Sequence, residues 1–149
     1  MNFKYSFSLF CGGYDQEDNE MTDRMAQAFI NNDWKCGFFK HLLEDMGVAT
    51  NGGSYPECTV EHTIEYYDAD DNTIDGTDKD AVARAEHTYK VSGEIHGIEG
   101  FNPQVDGYKD MFTLMWYYLE DYIDSNYEYG TTACGVNMLS VTLHTCEEI

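Results

Sequence analysis

The chain has 149 residues, with 28 Asp plus Glu against 8 Lys plus Arg and a formal net charge of -20. That length suits one domain, spanning 1–149, with a core that needs neither disulfides nor metal. A hydrophobic content of 42% excludes a disordered acidic tail, and the charge disfavours direct contact with nucleic acid or an anionic membrane face.

No apolar run approaches the roughly eighteen residues of a membrane span, and the start Met1-Asn2-Phe3-Lys4-Tyr5 lacks the pattern of a signal peptide. Residues 3–10 alternate, with Phe3, Tyr5, Phe7 and Leu9 on one face against Lys4, Ser6 and Ser8, which predicts a strand. Cys11-Gly12-Gly13 ends it. From Asp18, a plausible N-cap, to Asn31, Met21, Met25, Ala28 and Phe29 form one helical stripe. After Asn31-Asn32-Asp33, a second stripe at Trp34, Phe38, Leu42 and Met46 predicts another helix, ended by Gly47.

Asn51-Gly52-Gly53-Ser54 reads as a turn. Residues 58–67 alternate again, with Val60, His62, Ile64 and Tyr66 facing one way. An acidic connection from Asp68 to about Arg84 leads to a hairpin partner over residues 86–98, where Tyr89, Val91 and Ile95 share a face and Gly93 and Gly97 weaken the pattern. Asn102-Pro103 opens a long helix to about Asn126, with Met111, Met115, Tyr118 and Tyr122 as its buried stripe beside Leu114 and Leu119. Gly130 and Gly135 bracket a loop, and residues 136–145 make a last strand with Leu139, Val141 and Leu143 inward. The expected order is β-α-α-β-β-α-β: an α+β fold, a mainly antiparallel four-stranded sheet with helices on one face.

Cys11, Cys36, Cys58, Cys134 and Cys146 are odd in number and contain no CxxC pair. They read as small buried thiols in a reducing compartment, with the cytoplasm as the expected location.

Carboxylates concentrate in three places. The first, Asp15, Glu17, Asp18, Glu20 and Asp23, surrounds the first helix start, where acid complements the helix dipole. The second is Asp68, Asp70, Asp71, Asp75, Asp78 and Asp80, relieved only by Lys79. The third is the far end of the long helix: Glu120, Asp121, Asp124 and Glu128. On a helical wheel Asp106, Asp110, Thr113, Tyr117, Glu120 and Asp124 form an outward ridge opposite the core stripe. Residues four apart rise by about 6 Å along a helix, and phosphates on one DNA strand advance by roughly 3.4 Å along the axis with a longer direct separation, so the two ladders are comparable in scale. Acid at a helix C-terminus opposes the dipole, and like charges at i, i+4 repel, so folding alone would not select this pattern. Tyr117, Tyr127 and Tyr129 lie among the carboxylates, and exposed Tyr beside acid suits an interface that receives Arg and Lys.

No motif demands catalysis. Counted from Asp68, an EF-hand loop would have Thr73 in place of Gly and Lys79 in place of Glu; counted from Asp71, its twelfth residue is Val82. His41, His62, His87, His96 and His144 form no HExxH or HxH group, and Cys58 with His62, or His144 with Cys146, supplies at most half a zinc site. There is no dinucleotide fingerprint, P-loop or nucleophile elbow. No cofactor or metal is expected.

In size, charge and carboxylate runs such as Asp68–Asp80 and Glu120–Glu128, the chain resembles the small acidic inhibitors that phages and mobile elements use as DNA mimics against CRISPR effectors or restriction enzymes. The resemblance implies a non-enzymatic inhibitor in the host bacterial cytoplasm that blocks the Arg/Lys-lined channel of a nucleic-acid-binding defence protein. Its contact residues would be Asp68, Asp70, Asp71, Asp75, Asp78, Asp80, Asp106, Asp110, Tyr117, Glu120, Asp121, Asp124, Tyr127 and Glu128. The alternatives are an acidic protein with a cation-binding loop, a metal-dependent enzyme without a recognisable motif, or an acidic fold adapted to high salt. A Tyr-rich face also suits a homodimer.

Overall fold

The computed structural model describes residues 1–13, 16–38, 57–83, 85–98, 110–127 and 139–149. In chain order its elements are β1 (Phe3–Cys11), α1 (Gln16–Ala28), a π-helical continuation α2 (Phe29–Phe38), β2 (Glu57–Cys58), β3 (Glu61–Tyr67), β4 (Thr73–Ile74), α3 (Lys79–Val82), β5 (Glu86–His96), α4 (Met111–Asn126) and β6 (Leu139–Glu148).

Alternation makes β1 an interior strand of the sheet. Phe3, Tyr5, Phe7, Leu9 and Cys11 are buried on one face, and β1 pairs antiparallel with β5 on one side and β6 on the other. The full order is β4-β3-β5-β1-β6, with β2 also beside β5. The architecture is α+β and antiparallel, as expected, but the sheet has six strands and not four, and the element order differs.

Two local causes account for the extra strands. β2 and β3 follow one register along β5, Glu57 opposite His96 and Glu61 opposite Ser92. Between them the Thr59 amide donates to the Glu94 carbonyl at 2.9 Å while the Thr59 hydroxyl accepts the Glu94 amide at 2.9 Å, so a side chain replaces one backbone acceptor of the ladder. Gly93 is required there, because a Cβ would lie 1.9 Å from the Thr59 carbonyl oxygen. β4 forms because Asp71, at φ 62°, turns the chain so that Thr73 and Ile74 return along Tyr67 and Tyr66.

α1 and α4 lie on the same face of the sheet, α1 against β1 and α4 against β6. The inward side of α1 is turned from the expected stripe: Thr22, Ala26 and Phe29 are buried, whereas Met21 and Met25 are half-buried and Ala28 is exposed. Asp18 lies in the first turn, and its carbonyl accepts the Thr22 hydroxyl at 2.9 Å, which makes a buried Thr tolerable. Asn31-Asn32-Asp33 does not break the helix. The chain passes through it in π geometry, whose wider turn puts residues five apart on one side. Phe29 and Trp34 therefore meet, their ring centroids 5.9 Å apart, and Trp34 packs 4.8 Å from Phe7 and 4.9 Å from Tyr5. The Trp34 indole N–H donates to the Tyr5 hydroxyl at 2.9 Å, and that hydroxyl donates to the Thr59 carbonyl at 2.7 Å. A polar chain thus crosses the aromatic core with its donors satisfied.

α4 buries Met111, Leu114, Met115, Leu119 and Ile123, with Tyr118 and Tyr122 half-buried beside them. β6 buries Leu139, Val141, Leu143 and then Cys146. The switch of phase follows a bulge opposite Ser6 and Phe7, where His144 is the extra residue. Among the described residues no helix is long and apolar enough to cross a membrane. The expected segments over 39–47, 51–54, 102–109 and 130–138 lie outside the described residues.

Candidate functional site

The outward side of α4 is the strongest candidate. Asp110 caps the helix: its carboxylate accepts the Thr113 amide and hydroxyl, each at 2.8 Å. Beyond that cap, two rows run along the solvent side. Phe112, Trp116, Glu120 and Asp124 follow one another at four-residue steps, and Thr113, Tyr117 and Asp121 form the row beside them. Phe112 is 36% exposed, Trp116 44% and Tyr117 51%; Asp121 and Asp124 are exposed and Glu120 is half-exposed. Residues 110–149 contain no Lys or Arg.

Of the residues expected at the contact surface, α4 brings Tyr117, Glu120, Asp121 and Asp124 together. Asp110 belongs to the helix start as its cap, not to the ridge. Tyr127 is buried: its hydroxyl donates to the Asp33 carboxylate and its ring packs edge-on to Phe29 at 5.9 Å, fastening the end of α4 to α2. Asp106, Glu128 and Tyr129 lie outside the described residues. Phe112 and Trp116 were missed by the sequence reading, although each directly follows a residue of the Met111–Met115 stripe and the two flank it at i, i+4 spacing.

The second acidic run is exposed throughout, yet much of it builds turns. Asp68 accepts the amides of Asp70 and Asn72, each at 2.9 Å. Asp75 accepts the Thr77 amide at 2.9 Å, a bond that holds its carboxyl below the usual range. Asp78 caps α3 through the Ala81 amide. Asp71 supplies the left-handed turn, and Asp70 and Asp80 complete the exposed set. Turn chemistry therefore explains Asp68, Asp71, Asp75 and Asp78 without a ligand.

A cleft of about 330 Å³ opens between α1 and the β3–β5 connection, lined by Asn19, Glu20, Asp23, Arg24, Tyr66 and His87 among others. At its floor the Asp23 carboxylate accepts His87 Nε2–H at 2.7 Å, the Tyr89 hydroxyl at 2.5 Å and the Gln27 amide at 2.6 Å. Burial raises the Asp23 pKa, but those hydrogen bonds and the His87 charge outweigh it and hold the carboxyl below its usual range. The other ring nitrogen, Nδ1, lies 3.2 Å from the Ala85 carbonyl oxygen. Both nitrogens of His87 thus face oxygen atoms of the fold, Asp23 Oδ1 on one side and the Ala85 carbonyl on the other. The cluster is a fastening between α1 and β5.

The opposite face of the sheet carries Lys90 bonded to Glu65 at 2.7 Å and Ser8 bonded to His144 at 2.7 Å. Cys11 and Cys146 are buried and Cys58 is partly exposed; burial, with Asp110 and Glu147 nearby, pushes the Cys146 thiol up to about 12. Burial thus makes Cys11 and Cys146 poor nucleophiles at neutral pH. Among the described residues no three His, Cys, Asp or Glu side chains gather into a group able to hold a metal ion.

Comparison of the chain with protein-family models, with curated proteins and with solved structures finds no match.

Proposed function

We propose that this protein is a non-enzymatic acidic inhibitor that presents the outward side of α4 to a basic nucleic-acid-binding protein and competes there with nucleic acid. The observation that carries the reading is the composition of that side. Tyr117, Glu120, Asp121 and Asp124 stand together beside Phe112 and Trp116, with no Lys or Arg anywhere in residues 110–149. Carboxylates toward a helix C-terminus destabilise the helix that bears them, and exposed aromatics favour aggregation. Both costs make sense where a cationic partner covers the surface.

Steering by the whole charge would give fast association, and desolvated aromatic contacts would slow release. A CRISPR effector or a restriction enzyme has the kind of Arg/Lys-lined channel such a surface would fill. The test is capture of binding proteins from a bacterial lysate on the immobilised protein and on a Glu120→Lys, Asp124→Lys, Glu128→Lys variant. The expected result is retention of a nucleic-acid-binding protein by the native chain and its loss by the folded variant. Equal retention by both would refute the assignment of the surface.

A further inference from the structure

The division of α4 into an aromatic half and an acidic half specifies which cation the partner offers. Phe112, Trp116 and Tyr117 occupy the first two turns, and Glu120, Asp121 and Asp124 the next two. Trp116 and Glu120 are successive members of one row, separated by about 6 Å along the axis. The other tryptophan, Trp34, is fully buried, so Trp116 is the indole offered to solvent.

Resting on the reading above, we infer that this surface selects arginine over lysine, and that its occupant is an arginine-bearing segment of the partner. A guanidinium is planar and weakly hydrated, so it can lie flat on the Trp116 ring while its edge donates two hydrogen bonds to the Glu120 carboxylate one helical turn further on. An ammonium is a compact, strongly hydrated point charge. It is attracted by Glu120 and Asp124 but gains less from the rings. A purely electrostatic decoy would need only the carboxylates. The aromatic half is the feature that distinguishes the two cations.

Binding of blocked nona-arginine and nona-lysine peptides, equal in length and charge, tests this by titration calorimetry, with Trp116 fluorescence as a site-specific reporter. The arginine peptide should bind about fivefold more tightly and change the indole emission. In a Phe112→Leu, Trp116→Leu variant the affinity for arginine should fall to that for lysine, with lysine binding unaltered. The native emission of buried Trp34 checks that this variant is folded. A second variant, Glu120→Gln with Asp121→Asn and Asp124→Asn, should weaken both peptides alike. Equal affinity of the two peptides for the native chain would overturn the arginine inference while leaving the acidic-surface reading standing, as would a preference that survives loss of the rings. Failure of both peptides to bind would overturn both. A native dimer that dissociates on the leucine substitutions would assign the face to a second copy of the chain and overturn the inference too.

Discussion

Asp23 shows how one side chain can join distant parts of the chain. It receives hydrogen bonds from His87 and Tyr89 on β5 and from Gln27 on its own helix. Its lowered pKa means that the folded state favours the carboxylate, so the contribution to stability is complete above the ordinary aspartate range of about 3.9 and disappears as pH falls through the lower folded value. Asp23→Asn should therefore reduce unfolding free energy in urea by about 2 kcal/mol at neutral pH. The gap between the two proteins should narrow as the solution is made more acid than about pH 4. A gap constant across that range would show that the carboxylate charge is not what holds the cluster.

The elements of the fold divide by how local their causes are. On α4, Glu120 and Asp124 lie near a helix C-terminus and repel each other, so neutralising both as Glu120→Gln and Asp124→Asn should raise thermal stability at low salt by a few tenths of a kcal/mol. The same change should weaken binding to a basic partner, and a loss of stability would contradict the view that folding did not choose these residues. β1, the antiparallel pairing of β3 with β5 and the inward stripe of α4 were legible in the sequence because alternation or 3.6-residue spacing sets them locally, although His62 and Ile64, expected on one half-buried face with Val60 and Tyr66, are exposed. The turned face of α1 was not, because Thr22 becomes acceptable inside only through its bond to the Asp18 carbonyl, and Asp23 points to partners more than sixty residues away. The passage through Asn31-Asn32-Asp33 was not legible either. Those residues signal a turn, and the packing of Phe29 and Trp34 onto Phe7 overrides the signal. Within the candidate site, the carboxylate ridge was visible from spacing alone, whereas the burial of Tyr127 depended on Asp33 and Phe29 from another element. Asp68, Asp71, Asp75 and Asp78 were visible as acid but not as turn-makers, although the turns they make are local, through amides two to four residues on or, at Asp71, through a left-handed backbone.

At the scale of the whole molecule, a charge of -20 on 149 residues favours solubility and opposes compaction, and most of its excess could have been an undirected coat. On α4, aromatic rings and carboxylates share the solvent side of one helix that carries no Lys, Arg or His. In the proposed complex this side of α4 occupies a channel made for nucleic acid. Equilibrium competition between this protein and duplex DNA or RNA for the captured partner, followed by fluorescence anisotropy, tests it most directly. Mutually exclusive binding, with the apparent dissociation constant rising in proportion to the nucleic acid added, is the predicted result. A ternary complex in which the partner holds both at undiminished affinity would contradict it.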